Sequence, residues 1–445
     1  MRVYTQNKNY TLYNGSMLDM PEVIAENSID AVVTDPPYEL NFMGKGWDNS
    51  GIAFQAETWR KCYEVLKPGA YMLAFGGTRT FHRIACAIED AGFEIRDVIM
   101  WIYGSGFPKS LYIAKSIEAK LTTGSANTQE FKNLEGQKVT RGNYGFSSMM
   151  FQQGARPADY NNLDSDRLDR LTPKTEQAKQ WDGWGTALKP AYEPVIVARK
   201  PCEGSITDNV LKYGVGGINI DECRIGAEER TYSGMSTKKP EGAGTFRDDN
   251  WVPKDDLEIT VNGRFPANTI LTYDDTDCDE VCGANADAVT RFFYCAKASK
   301  RDRDEGLEAF EDKILAFSNQ AQAEAKRGNE LKKGGMNDIK HRKNIHPTVK
   351  PTDLMQYLIR LVTPKGGTIL DPFNGSGSTG KATMYENKDR NADYKYIGIE
   401  LSEEYLQISK ARIDFAAGEQ TAEIVNFSEL SQKAPKQMDI FDFLS

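Results

Sequence analysis

Residues 367–380 read GTILDPFNGSGSTG, and the order of residue types in this stretch sets the fold. Thr368, Ile369 and Leu370 make an apolar, β-branched strand end closed by Asp371 and Pro372; Gly375, Gly377 and Gly380 then form a turn, and a helix-forming segment begins at Lys381. Strand, glycine turn and helix in that order bring a ligand to a helix N-terminus at the carboxyl edge of a parallel sheet. The spacing from Gly375 to Lys381 is also, formally, GxxxxGK. However, Ala382 leaves no hydroxyl where a triphosphate loop holds Mg²⁺, and Phe373 stands where a phosphate cradle has little use for an aromatic. An aromatic beside close-approach glycines suits a flat adenosine better. A further strand-like run, 396–399, ends in Glu400 about 20 residues beyond the turn, where a carboxylate can accept both hydroxyls of a ribose.

A second informative stretch lies near the start. Residues 28–34, SIDAVVT, read as a turn feeding a buried strand that ends at Asp35-Pro36-Pro37-Tyr38. Two prolines remove two backbone donors and forbid helix, so the chain leaves the sheet extended, presenting an acid and an aromatic at its edge. That pair suits an exocyclic base amino group, a poor nucleophile because its lone pair is delocalised into the ring. Asp35 can accept one N–H and the Pro36 carbonyl the other, aligning an sp³-like nitrogen with an electrophile while Tyr38 stacks on the extruded base. Taken alone, the tetrad is equally well a structural turn. Its combination with the glycine turn and Glu400 favours the chemical reading.

Between these stretches the pattern alternates. A short strand at 10–13 leads to a brief helix through Ile24; a glycine-rich flank spans 40–54; helices at 57–66 and 81–91 alternate with strands at 71–75 and 93–102, with a turn at Pro68-Gly69. This is the rhythm of a doubly wound α/β sheet. Residues 104–186 break it, with one helix expected at 111–121 and an irregular remainder. There Lys109, Lys115, Lys138, Arg141, Arg156 and Lys174 mix with Tyr144, Phe151, Tyr160 and Trp184 as a candidate nucleic-acid face. The strand 192–199 resumes the sheet despite Pro194. Residues 201–345 are loop-rich, with strands at 269–273 and 291–295, a basic cluster at Lys297, Lys300, Arg301 and Arg303, a helix capped by Ser318 and ending at Arg327, and a basic stretch at 332–343. Order returns with HPTVKP at 346–351, where Pro351 opens a helix over 352–362; a closing helix spans 403–415 and a tail follows Gly418.

Composition sets the outer limits. The 445 residues carry a net charge of −9, with 27% charged and 40% hydrophobic side chains, as in an ordinary globular chain able to bury a large core. Phosphate binding needs only local basic patches, so the acidity does not exclude nucleic acid. The seven cysteines, Cys278 and Cys282 among them, lack paired CxxC knuckles and read as reduced thiols, with no metal site expected. MRVYTQNKNY does not read as a signal peptide, and no long apolar run suggests a membrane span.

DPPY at 35–38, HPTVKP at 346–351 and DPFNGSGSTG at 371–380 together resemble the S-adenosylmethionine-dependent DNA amino-methyltransferases, of the β order in which the catalytic tetrad precedes the cofactor turn. The resemblance covers 10–103, 187–200 and 346–415. It implies a doubly wound, mostly parallel seven-stranded sheet with inserted target-recognition regions. In that division 1–103 and 346–418 are the catalytic and cofactor halves of the core, 187–200 a returning strand, 104–186 and 201–345 the target-reading regions, and 419–445 a tail. It further implies that Asp371, Phe373, Gly375, Gly377 and Glu400 hold S-adenosylmethionine, with Thr348 and Lys350 toward its carboxylate end, and that Asp35, Pro36, Pro37 and Tyr38 engage a flipped base in double-stranded DNA. Where the family carries an acid directly after the early glycine, this chain has Ser16, and Asp19 is the candidate substitute. An aspartate at the head of the tetrad points to adenine N6 over cytosine N4. The resemblance also implies a cytoplasmic bacterial or phage-encoded enzyme, and allows a homodimer and a companion restriction enzyme. RNA or protein amino-methylation, and an inactive binding module, stand as readings from other classes.

Overall fold

The computed structural model describes residues 1–40, 46–103, 110–124, 126, 173–233, 258–272, 292–310, 313–315 and 340–419. In chain order its strands and α-helices are β1 (Arg2–Gln6), β2 (Tyr10–Asn14), β3 (Ile29–Thr34), α1 (Ala56–Val65), β4 (Leu66–Phe75), α2 (Phe81–Asp90), β5 (Glu94–Tyr103), α3 (Ile113–Thr123), α4 (Glu176–Lys179) and β6 (Tyr192–Arg199). They continue with α5 (Ile206–Tyr213), β7 (Ile225–Ser233), β8 (Glu258–Arg264), β9 (Thr269–Thr272), β10 (Phe293–Tyr294), α6 (Lys300–Asp304), β11 (Lys313–Leu315) and β12 (Lys340–Arg342). The last are α7 (Thr352–Val362), β13 (Thr368–Asp371), α8 (Ser378–Arg390), β14 (Lys395–Glu400) and α9 (Glu403–Ala417).

The main sheet runs β1-β2-β14-β13-β3-β4-β6-β5-β9-β10. From β2 to β4 every neighbour is parallel. β6 is antiparallel to both β4 and β5, and β1 is antiparallel to β2. The seven strands from β2 to β5 form the expected doubly wound run. β1 extends it at one edge and β9 and β10 at the other, so part of the 201–345 region is built into the sheet rather than set apart from it.

Burial on both faces explains why β3 and β4 read as nearly continuous apolar runs. Side chains alternate between two cores: Ala31, Val33, Leu73 and Phe75 pack with α7, α8 and α9, while Val32, Met72 and Ala74 pack with α1 and α2. β13 and β3 are neighbours, with Ile369 opposite Ala31, yet the chain leaves them in opposite directions, to β14 and to β4. That divergence is the crevice of an open α/β sheet, where ligands bind.

Three local expectations change. The helix through Ile24 is a 3₁₀ turn, Met17–Glu22, because Pro21 lies inside it and cannot continue a hydrogen-bonded helix. Pro68 and Gly69 lie inside β4, where the register against β3 shifts between Leu66 and Tyr71. Gly69 has φ +79° there, and a Cβ on it would meet Asn209 Nδ2 at 2.2 Å, so glycine is what lets α5 dock on the strand. The helix expected at 111–121 begins at Ile113 and ends on Gly124 in the left-handed conformation. The Ser318-capped helix, Lys109, Lys138, Arg141, Tyr144, Phe151, Arg156, Tyr160, Cys278, Cys282 and residues 332–339 lie outside the described residues, as does the tail beyond 419.

Candidate active site

Asp371 ends β13 and joins the two halves of the crevice. Its Oδ1 accepts from Thr34 Oγ1 at the end of β3 (2.7 Å) and from Phe373 N (3.1 Å), and its Oδ2 accepts from Thr379 Oγ1 in the first turn of α8 (2.7 Å). Burial pushes its carboxyl up to about 6 against these hydrogen bonds. The motif's first acid is therefore a brace between strand β3 and helix α8.

The turn that follows is held from outside. Gly375 takes φ +50° and donates its N–H to Glu400 Oε2 (2.8 Å); Gly377 takes φ +74°, and a Cβ on it would meet Ser409 Oγ at 2.3 Å. Asn374 donates to Ser409 Oγ and accepts from the Tyr396 hydroxyl, while the buried Arg412 donates to the Ser376 carbonyl (2.6 Å). Lys381 is fully buried and lies 2.8 Å from Asp302 and 2.9 Å from Glu305, so its ammonium is committed to carboxylates of α6 and the residue after it. That geometry closes the triphosphate reading of GxxxxGK.

Glu400 ends β14. Ser402 N donates to its Oε1 and Gly375 N to its Oε2, both at 2.8 Å, which aims the carboxylate across the turn and leaves lone pairs on each oxygen. Burial raises its carboxyl to about 7. The half-buried Phe373 ring lies 6.2 Å from that of Trp59. Gly15 N bonds the Glu400 carbonyl, so the turn bearing Ser16 and Asp19 begins beside Glu400; Ser16 caps it through Leu18 N. The donor set fits an adenosine whose ribose offers a diol: an aromatic, an acceptor carboxylate and the N-terminus of α8 meet at one turn.

The tetrad lies across the crevice from this turn. Lys350 Nζ donates to Asp35 Oδ2 at 2.5 Å, and Asp35 Oδ1 is buried with no hydrogen-bond partner among the described residues. The Tyr38 hydroxyl donates to Glu193 Oε2 (2.8 Å), which is also 3.4 Å from Lys350 Nζ. The Thr80 hydroxyl holds the Tyr38 carbonyl (2.7 Å), and Glu39 leaves the tetrad at φ +54°, its N–H on Asp48 Oδ1. Burial raises the Asp35 carboxyl more than the Lys350 ammonium lowers it. Burial opposes the charge on Lys350, yet Asp35 and Glu193 hold its ammonium above the ordinary value.

HPTVKP thus reaches both sides of the crevice. His346 donates from Nδ1 to the Thr348 carbonyl (3.0 Å), which leaves Nε2 as the acceptor; burial pushes the ring down to about 3 and keeps it neutral. A Cβ on Gly375 would come within 2.8 Å of that Nε2. Thr348 itself is exposed, and Lys350, expected at the cofactor's carboxylate end, directs its ammonium to Asp35. Sequence reasoning missed Glu193, His346 and Asp302. The signal for Glu193 was a lone acid in the otherwise apolar YEPVIVA; Asp302 was hidden among the charges of KRDRDE.

A family model for N6/N4 methyltransferases, described as "DNA methylase", matches residues 29–411. Among curated proteins, the chain is 49% identical over 67 residues to the type II methyltransferase M2.MboI of Moraxella bovis, covering 15% of this chain and 22% of that one. It is 36% identical over 72 residues to the DNA adenine methyltransferase YhdJ of Escherichia coli K12, covering 16% and 22%. The type II methyltransferase M.HindIII of Haemophilus influenzae matches at 21% over 252 residues, covering 47% and 64%. The alignment spans less than a quarter of the length of M2.MboI and of M2.DpnII from Streptococcus pneumoniae. Among solved structures, M1.HpyAVI with SAM aligns at TM-score 0.34 and 14% identity, covering 91% of this chain and 99% of that one. The cytosine-N4-specific PvuII DNA methyltransferase aligns at 0.39 and 12%, covering 97% and 94%.

Proposed function

The chain belongs to the N6/N4 DNA methylase family, and from that membership we propose that it transfers a methyl group from S-adenosylmethionine to the N6 amino group of a flipped adenine in double-stranded DNA. The observation that carries the reading is Asp35 Oδ1, just past the end of β3 beside β13, buried without a hydrogen-bond partner among the described residues. Bound S-adenosylmethionine supplies an electrophilic methyl on a sulfonium. Glu400 would take its ribose hydroxyls and Phe373 would lie along its adenine, with the turn at Gly375 and Gly377 closing on the rest. Asp35 Oδ1 would accept one amino N–H of the target and the Pro36 carbonyl the other, which would leave the nitrogen lone pair free to take the methyl as its bond to sulfur breaks and S-adenosylhomocysteine leaves; the nitrogen, positive with its fourth bond, would then pass its N–H proton to Asp35 Oδ1. Tyr38 would stack on the extruded base.

Adenine is favoured by the aspartate at the head of the tetrad and by the name of the YhdJ relative. Residues 104–186 and 201–345 would read the target. Lys297 supports this: its ammonium lies 3.6 Å from the centroid of the Tyr103 ring at the end of β5, so the basic cluster starts at the carboxyl edge of the sheet. A companion restriction enzyme would act on the same sequence word, in the cytoplasm of a bacterium or phage host. A homodimer would show in light scattering, where the 49.8 kDa mass of one chain would exclude it. Among the described residues no helix is long and apolar enough to cross a membrane.

The test is incubation with unmethylated genomic DNA and S-adenosylmethionine, then mass spectrometry of the nucleosides. N6-methyldeoxyadenosine is expected. N4-methyldeoxycytidine would keep the mechanism and reassign the base; no methylated nucleoside, with cofactor bound, would overturn the reading in favour of RNA, protein or a binding role.

A further inference from the structure

We propose that Lys350 and Glu193 are positioning residues that clamp Asp35, occupying its Oδ2 and reserving Oδ1 for the amino group of the target base. The inference rests on the methyl-transfer reading above and extends it to two residues outside the tetrad.

Three parts of the fold meet in this cluster: Asp35 after β3, Glu193 in β6 and Lys350 just ahead of α7. Lys350 Nζ is 2.5 Å from Asp35 Oδ2 and 3.4 Å from Glu193 Oε2, with the Phe75 ring centroid 4.7 Å away and the Tyr38 centroid 5.3 Å away. An ammonium held between two carboxylates and two aromatic rings has little freedom to swing toward a cofactor. Glu193 is fixed in turn by the Tyr38 hydroxyl, and it lies on β6 paired against Trp101 of β5. The outcome is an asymmetric carboxylate, one oxygen held by a cation and the other buried without a hydrogen-bond partner among the described residues. A buried acceptor left open is costly unless the group it faces arrives with a donor. An amino N–H brings that donor.

Charge supports the same assignment. One ammonium between two carboxylates leaves one net negative charge, which faces a nitrogen that becomes positive as its lone pair forms a fourth bond. Without Glu193 the Asp35–Lys350 pair would be neutral and that attraction would be lost. The charged and titratable groups around Asp35 are Lys350 from the segment before α7, Glu193 from β6, Tyr38 from its own turn and Asp371 from the end of β13. Burial opposes the ionised form of Asp35 most, and Glu193 and Asp371 oppose it too, while Lys350 and the Tyr38 hydroxyl favour it.

The experiment is a ¹³C-carboxyl NMR titration of aspartate-labelled protein, with Asp35 assigned through Asp35→Asn, joined to single-turnover kinetics and S-adenosylmethionine binding. Lys350→Met should move the Asp35 midpoint up and Glu193→Gln should move it down, shifts of opposite sign that general loosening would not produce. Both variants should lose about 10²-fold in the transfer rate through misplacement of Asp35. Cofactor affinity should stay within about threefold, because Lys350 and Glu193 are committed to each other and to Asp35. Lys350→Arg should recover part of the rate. Glu193→Gln is isosteric and keeps an acceptor for the Tyr38 hydroxyl, so it carries the test if Lys350→Met does not fold. Unmoved midpoints in either variant, or cofactor affinity lost in Lys350→Met, would overturn the clamp. A wild-type protein that methylates no DNA overturns the function reading instead, and leaves the two midpoints as an independent measure of the clamp.

Discussion

Asp35 follows β3 and Gly375 follows its neighbour β13, and their substitutions should fail in complementary ways. On the proposed mechanism Asp35→Ala removes the acceptor for the target amino group, so transfer should fall by at least about 10²-fold while S-adenosylmethionine still binds. Gly375→Val should do the reverse: the position has φ +50° and its Cβ would press on the His346 ring, so calorimetry should show cofactor binding lost. Binding retained in Gly375→Val would remove that glycine from the pocket. Glu400 adds a pH dependence. Its carboxyl sits at about 7 against an ordinary 4.5. For folding, a raised carboxyl contributes stability that is full below 4.5 and is lost as pH rises through about 7. Cofactor binding has the opposite sign, because the ribose hydroxyls need the ionised form as acceptor. Affinity should therefore decline below about pH 7, by up to about tenfold per unit, and Glu400→Gln should flatten the profile at a weaker value. A profile of equal slope in Glu400→Gln would assign the titration to another group.

At the scale of elements, α6 ties the 201–345 region to α7 and α8. Asp302 accepts from Thr352 N (3.1 Å) and Thr352 Oγ1 (2.5 Å) at the start of α7, and from the fully buried Lys381 of α8 (2.8 Å). One carboxylate thus supplies the N-cap that Pro351 cannot and half of the counter-charge for a buried ammonium. Asp302→Ala should destabilise the protein by about 3 kcal/mol, the lower end for breaking a buried pair, because Glu305 remains 2.9 Å from Lys381. Urea unfolding measures it, and a loss below about 1 kcal/mol would place the pair among surface-type ion pairs. The elements themselves were largely legible. The helix expected at 352–362 is α7 residue for residue, since its apolar side chains recur at helical spacing and bury one face. Boundaries shifted where a proline or glycine has two uses, as at Pro21 and Gly69.

At the scale of the whole molecule, a chain of net charge −9 can bind a polyanion only through a local surface. Lys300 and Arg301 are exposed on α6, five and six residues beyond Cys295, whose N–H pairs with the Leu271 carbonyl at the sheet edge. Replacing both with alanine should weaken DNA binding at low salt and reduce the slope of log K against log[salt] by about 2, roughly one for each phosphate no longer neutralised. An unchanged slope in a fluorescence-anisotropy salt series would move the DNA surface elsewhere. By itself the sequence determined the strand–turn–helix at 367–380, the extended DPPY exit and the αβ alternation, because backbone conformations imposed by glycine, proline and apolar periodicity are local properties. It also supplied the candidate acids Asp35, Asp371 and Glu400. Only the tertiary structure decided what those acids touch. Asp371 proved to brace Thr34, 337 residues away, and Lys350 to pair with Asp35, 315 residues away, while the lone acid of β6 became its second carboxylate. Ion pairs and hydrogen bonds of this kind depend on which strands lie side by side, and adjacency in a doubly wound sheet is set by packing of the whole chain rather than by any stretch of it.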